Sequence, residues 1–139
     1  MGNKRVFING CFDILHPGHI KMFQYAKQHG DYLMVAIDTD ERVKASKGSD
    51  RPFNSVEDRM YVLSSIKFVD EVRKFGTDQD LIDLIKNYKP DIMIVGSDYK
   101  DKIVIGSMHA KELKFFSRIN EYSTTKTIQS LVDRWQLSR

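Results

Sequence analysis

The chain predicts an α/β fold: a Rossmann-like, doubly wound parallel sheet of about five strands with helices on both faces. Two observations carry this. Short apolar runs alternate with segments of helical spacing along the whole length, the pattern of right-handed βαβ units around a parallel sheet. Tyr32-Leu33-Met34-Val35-Ala36-Ile37 is also apolar without alternation, as a strand covered on both faces must be.

Each element follows in order. Val6-Phe7-Ile8 reads as the first strand, and the spacing predicts a helix over residues 18–29 that ends at Gly30. The run at 32–37 is the second strand. Asp38-Thr39-Asp40-Glu41 is a polar connection with helix-start chemistry, and residues 42–53, carrying Arg42, Lys44, Lys47 and Arg51, read as a basic loop. Ser55 caps a helix with Glu57 and Asp58 in its first turn, running to about Ile66. Residues 68–72 form a third strand. Thr77 or Asp78 caps the next helix, over Leu81–Lys86, which Pro90 ends. Ile92-Met93-Ile94-Val95 is a fourth strand stopping at Gly96. A helix near 104–112, a fifth strand at Lys114-Phe115-Phe116, and a last helix capped by Ser123-Thr124-Thr125 and running to about Trp135 complete the reading.

Composition narrows the function classes. A length of 139 residues fits a single domain, 1–139. Apolar content of 41 % and charged content of 29 % are those of an ordinary globular domain. No apolar run approaches a membrane span, and no signal peptide precedes the first strand. One cysteine excludes an internal disulfide framework and suits the cytoplasm. The net charge of +3, from 22 basic and 19 acidic residues, is too small to argue for nucleic acid.

The most informative stretch is Asn9-Gly10-Cys11-Phe12-Asp13-Ile14-Leu15-His16-Pro17-Gly18-His19. It joins the first strand to the first helix, where doubly wound folds bind phosphates. Pro17 suits the first helical turn, and Gly18 lets a ligand approach the backbone. His16 and His19, three residues apart, share one face. A His-x-x-His pair can also ligate zinc, but no further cysteine, histidine or carboxylate cluster supplies the remaining ligands. Asp13 reads equally as a turn-capping residue and as one that orients a histidine or contacts substrate. Hydroxyls at 123–125 are phosphate ligands or routine caps.

This stretch closely resembles the HxGH motif of the cytidylyltransferase-like nucleotidyltransferases. Arg51-Pro52-Phe53-Asn54-Ser55-Val56-Glu57-Asp58-Arg59 and Val95-Gly96-Ser97-Asp98-Tyr99 resemble the adenylyltransferase domain that makes ADP-heptose. Arg118-Ile119-Asn120-Glu121-Tyr122-Ser123-Thr124-Thr125 resembles the Arg-Thr-Glu-Gly-Ile-Ser-Thr-Thr signature of glycerol-3-phosphate cytidylyltransferase. The resemblance implies transfer of a nucleoside monophosphate from ATP or CTP to a phosphorylated sugar or polyol, with loss of pyrophosphate. It implies His16, His19 and Lys47 as catalytic. Gly10, Cys11, Phe12, Gly18, Gly96, Asp98, Arg118, Ser123, Thr124 and Thr125 would bind the nucleotide, and Asp13 and Lys44 the acceptor. It further implies Mg²⁺ held mainly by the triphosphate, no protein metal site, and a homodimer without nucleic-acid or membrane partners. Glu121 and Ser97 stand where the family patterns carry glycine, so they bear on which base and acceptor are used. The competing reading is a nucleotide-binding module without turnover.

Overall fold

The computed structural model describes residues 3–117 and 124–138. Five strands form one sheet: β1 (Arg5–Gly10), β2 (Tyr32–Asp38), β3 (Glu71–Phe75), β4 (Ile92–Gly96) and β5 (Glu112–Phe116). All are parallel, in the order β3-β2-β1-β4-β5. The helices are α1 (Pro17–His29), α2 (Asp40–Lys47), α3 (Val56–Ser64), α4 (Asp78–Tyr88) and α5 (Thr124–Leu137).

Strand residues alternate between two cores. Val6, Ile8, Leu33, Val35, Ile37, Ile92 and Ile94 pack with Phe23 and Ala26 of α1 and with Val56 and Leu63 of α3. Phe7, Met34, Ala36 and Met93 face the other way, against Leu81, Ile85 and Tyr88 of α4. The continuous apolar run of β2 is therefore shared between two layers of helix, as expected of a sheet covered on both sides.

The order reverses between β1 and β4, and there the sheet opens. These strands pair only at Val6–Ile92 and Phe7–Met93. Beyond that point β1 stays with β2 as far as Gly10–Ile37, while β4 stays with β5 as far as Gly96–Phe116. The carboxyl ends of β1 and β4 thus diverge into a crevice, the usual binding position of a doubly wound sheet.

Three expectations need correction. Residues 42–53 are not all loop, because α2 covers Asp40–Lys47. Its first turn carries Asp40 and Glu41 and its last turn Lys44 and Lys47, charges that complement the helix dipole. Gly48, at φ 107°, then stops it. The third strand lies three residues later than expected, at Glu71–Phe75. The apolar Phe68 and Val69 instead pack into the core from the preceding turn. The expected helix near 104–112 is absent. The β4–β5 connection holds only two 3₁₀ turns, Ser97–Tyr99 and Ser107–His109. Gly106, at φ 80°, interrupts that segment, and a Cβ there would lie 2.5 Å from Ile85 Cδ1. The other boundaries shift by a few residues, as helix and strand ends do. The expected cap at Ser123 lies outside the described residues.

Candidate active site

A cavity of about 300 Å³ fills the crevice, walled by the β1–α1 turn, the ends of α2 and β4, and the start of α5. It gathers Gly10, Cys11, Phe12, Asp13, His16, Gly18, His19, Lys47, Gly96, Asp98, Thr124 and Thr125. All of these were singled out in the sequence, from four separate stretches of chain.

The β1–α1 turn is built around Phe12. Its φ of 49° lies in the left-handed region, which costs a non-glycine residue of order 1–3 kcal/mol. Its ring is buried edge-on against both Phe23 and His19, each 5.2 Å away between centroids. Gly10 makes room, since a Cβ there would stand 3.0 Å from that ring. Phe12 thus shapes the site by packing under His19.

His16 is the N-cap of α1, Pro17 its first residue and His19 its third. The His16 backbone N–H donates to His19 Nδ1 at 3.2 Å. An Nδ1 that accepts carries no proton, so the ring proton sits on Nε2. The two imidazoles stack at 3.7 Å between centroids, 22° from parallel. The result is a stacked imidazole pair at a helix N-terminus, where backbone N–H groups and the helix dipole already favour an anion.

Asp13 has a different setting from an acceptor ligand. Its carboxylate is fully enclosed and accepts from the backbone N–H of Phe53 at 2.7 Å and of Asn54 at 2.8 Å. The Asn54 side-chain amide returns a bond to the Asp13 carbonyl at 3.0 Å. Asp13 therefore latches the segment after α2 onto the β1–α1 turn. Lys47 ends α2 and lines the cavity, whereas Lys44, one turn earlier, is exposed and lies outside it. Thr124 donates its hydroxyl proton to the Ile14 carbonyl at 2.7 Å, which ties the start of α5 to the same turn. Arg118 and Ser123 lie outside the described residues.

A second cavity, of about 430 Å³, opens on the other side of the β1 tip. It shares Asn9, Gly10, Cys11, Lys47, Gly96 and Tyr99 with the first. Its own wall combines Asp38, Arg42 and Ser46 with Phe75, Leu81 and the Ile103–Ile105 segment. Arg42 bonds Asp78 at 2.7 Å, stands 3.8 Å from Asp38, and lies over the Phe75 ring. Burial pushes the Asp38 carboxyl above its ordinary range, against the opposing pull of Arg42, Lys47 and Arg59. Burial likewise raises the Cys11 thiol, although Lys47 and Arg59 favour its thiolate.

Sequence reasoning assigned no role to Arg59, which holds these parts together. Its side chain is fully buried. Nε donates to the Asn54 carbonyl, Nη1 to the carbonyls of Cys11 and Asp38, and Nη2 to the Asp40 carboxylate, all within 2.8–3.0 Å. The available signal was spacing: Val56, Arg59 and Leu63 fall on one helical face, and all three are buried. Among the described residues no group of three or more histidine, cysteine, aspartate or glutamate side chains converges as a metal cage. No described helix is long and apolar enough to cross a membrane.

Comparison with known proteins agrees with this geometry. The Cytidylyltransferase-like family profile matches residues 7–131. The "Bifunctional protein HldE" of Sulfurimonas denitrificans is 48 % identical over 130 residues, covering 94 % of this chain and 27 % of that protein. The protein of the same name from Helicobacter pylori is 46 % identical over 128 residues, covering 92 % and 27 %. The chain thus spans about a quarter of the length of these curated relatives. Among solved structures, a lipopolysaccharide core biosynthesis protein from Thermoplasma volcanium superposes with a TM-score of 0.66 at 29 % identity, covering 83 % of this chain and 98 % of that one. Pantothenate synthetase from Thermus thermophilus, at 12 % identity and a TM-score of 0.61 over 91 % of this chain and 64 % of that one, shares the fold. With its HxGH pair at the mouth of the split sheet and a family match over most of its length, the chain belongs to the cytidylyltransferase-like nucleotidyltransferases.

Proposed function

We propose that the chain transfers a nucleoside monophosphate from ATP or CTP to a phosphorylated sugar, releasing pyrophosphate. The observation that carries this reading is the stacked His16–His19 pair on the α1 N-terminus, facing a crevice that Lys47 also lines. An oxygen of the acceptor phosphate forms the new bond to the α-phosphorus. The bond from that phosphorus to the bridging oxygen breaks, and its electron pair leaves with pyrophosphate. A phosphate monoester is largely ionised at neutral pH, with a second pKa of about 6, so no strong general base is needed. The protein's part is positioning and charge stabilisation. His19 Nε2–H and the His16 ring donate to phosphate oxygens, and Lys47 adds a cation. Mg²⁺ would be held by the triphosphate and water and would neutralise phosphate charge there.

The two adjoining cavities suit two substrates. The nucleotide fits the first, between the β1–α1 turn and α5. The acceptor fits the second, where Asp38 offers a carboxylate to sugar hydroxyls and the Phe75 ring offers an apolar face. The size of that cavity, the name of the Thermoplasma volcanium protein and the resemblance to the ADP-heptose-forming domain favour a sugar phosphate over a small polyol phosphate. The product then serves cell-surface polysaccharide synthesis in the cytoplasm, and the enzyme works as a homodimer, which sedimentation velocity tests. A pyrophosphate-release screen of ATP and CTP against heptose 1-phosphate and glycerol 3-phosphate tests the reaction. Binding of a triphosphate without release under any pairing identifies a nucleotide-binding module instead.

Two substitutions probe this division. Lys47→Ala is expected to lower kcat/KM for both substrates, since Lys47 borders both cavities. Stability should change by no more than about 0.5 kcal/mol, as at other exposed sites. Loss of stability with unchanged activity per folded molecule would make Lys47 structural.

Asp38→Asn is expected to weaken acceptor use while raising Tm at pH 7. The carboxyl of Asp38 is raised in the fold, so folding resists its ionisation. That penalty is absent below the unfolded-state pKa of about 3.9 and grows as pH rises through the folded value. The Tm gain of the variant should therefore shrink as pH falls toward 4. A gain that persists unchanged at pH 3.5 would refute the electrostatic explanation.

A further inference from the structure

Arg51 stands in the cleft with a charge that the fold answers only in part. Its side chain is 13 % exposed, and it lines the first cavity. Its Nε and Nη2 are buried without a hydrogen-bond acceptor among the described residues. The nearest carboxylate, Asp13, lies 3.5 Å from Nε, and both of its oxygens already accept from the backbone of residues 53 and 54. Arg59 gives the contrast: every nitrogen of that buried guanidinium donates to an oxygen. Folded proteins pair nearly all buried donors, because an unpaired one carries its full desolvation cost. A guanidinium with two nitrogens lacking an acceptor among the described residues, and only a 3.5 Å ion pair beside them, is a donor set open to an anion at the wall of a cleft. Its planar geometry matches two phosphate oxygens, which an ammonium group cannot do.

We propose that Arg51 is a phosphate ligand of the active-site cleft, its guanidinium taking phosphate oxygens of a bound substrate beside Lys47. The identity of the substrate rests on the nucleotidyl-transfer reading; the demand for an anion does not. The loop that carries Arg51 is fixed at both ends. The Arg51 N–H donates to the Gly48 carbonyl at 3.1 Å, and Asp13 grips residues 53 and 54. Two substrate groups share the required chemistry: the β,γ-phosphates that leave as pyrophosphate, and the phosphomonoester of the acceptor.

The test needs no turnover. Inorganic pyrophosphate and, separately, glycerol 3-phosphate are titrated into wild type, Arg51→Lys and Arg51→Gln, with affinity read by calorimetry and by ligand-induced rise in Tm. Arg51→Gln is expected to lose 10–100-fold in affinity for one of the two anions while its ligand-free Tm stays near or above that of wild type. Arg51→Lys should recover only part of the loss. The anion affected identifies which phosphate Arg51 holds. Unchanged affinity for both anions overturns the proposal, as does a fall in ligand-free Tm with the ligand-induced rise intact. Should Arg51→Gln fail to fold, the wild-type protein still decides. The Arg51 Nε–H resonance, assigned by its loss in Arg51→Lys, must shift with pyrophosphate or glycerol 3-phosphate, and a resonance that moves with neither refutes the role. Wild-type pyrophosphate release, measured independently, reports on the reaction itself.

Discussion

Replacing His16 or His19 by alanine is expected to lower kcat by about 10²–10³-fold, the range for removing one preorganised transition-state donor. Triphosphate KM should change much less, because charge shifts onto the phosphate oxygens chiefly in the transition state. The two variants should differ in one respect. His19 Nδ1 accepts the His16 backbone N–H, so His19→Ala also removes a partner from the cap of α1 and should lower Tm slightly more than His16→Ala. His19→Gln, with an amide able both to accept and to donate, should restore part of the stability and little of the rate. Single-turnover pyrophosphate release with circular dichroism on each variant is the measurement. Near-wild-type release from either folded alanine variant would remove the pair from the mechanism.

Much of this site was legible because its chemistry lies in short contiguous runs. The turn from Asn9 to His19 carries its own punctuation, with Pro17 and Gly18 at a helix start. The strands next to it are continuous apolar runs. The convergence of Gly96, Asp98, Thr124 and Thr125 on that turn followed from topology alone, since parallel strands bring all their carboxyl ends to one edge. Where apolar content was the guide and pairing decided, the reading slipped. Phe68 and Val69 look like a strand, yet the edge strand that pairs with Met34–Asp38 is the more polar Glu71–Phe75.

The residues that escaped were those whose partners are distant in sequence. Lys44 and Lys47 both fell in a supposed loop, and only the family resemblance gave them different roles. The helix that contains them sets one at the cleft and the other outside. Asp13 read as either a turn residue or a substrate ligand. What decided its setting was two backbone N–H groups 40 and 41 residues later, which no local pattern encodes. Arg51 was visible only as part of a basic segment, because nothing local says that its charge would be left partly unanswered. Arg59 was the hardest case, since a charged residue in an exposed-looking Glu-Asp-Arg run is ordinarily on the surface.

Arg59 is therefore where the largest loss of stability is expected. It bridges four segments: the Cys11 carbonyl of the β1–α1 turn, the Asp38 carbonyl at the end of β2, the Asp40 carboxylate of α2, and the Asn54 carbonyl before α3. Arg59→Met keeps much of the aliphatic volume and removes every donor. Three carbonyls then lose a charged donor, at about 1–3 kcal/mol for each buried polar group left unsatisfied, and the Asp40 carboxylate, 29 % exposed, loses its ion-pair partner. For a domain of this size that is a large share of a total stability of about 5–15 kcal/mol. The urea midpoint should fall accordingly. Arg59→Lys should recover only a minor part, because one ammonium cannot reach oxygens held on different sides of a planar fork. Activity should suffer beyond the loss of folded protein. Release of the Cys11 carbonyl loosens the turn that aims His16 and His19, so kcat of the folded fraction should drop while triphosphate affinity changes less. The discriminating comparison is Asp40→Asn, which removes the charge of one partner and leaves the three carbonyl bonds in place. It should cost far less than Arg59→Met. If the two cost the same, Arg59 acts through its single ion pair, and the carbonyl bonds that join the strand ends to the active-site turn contribute little.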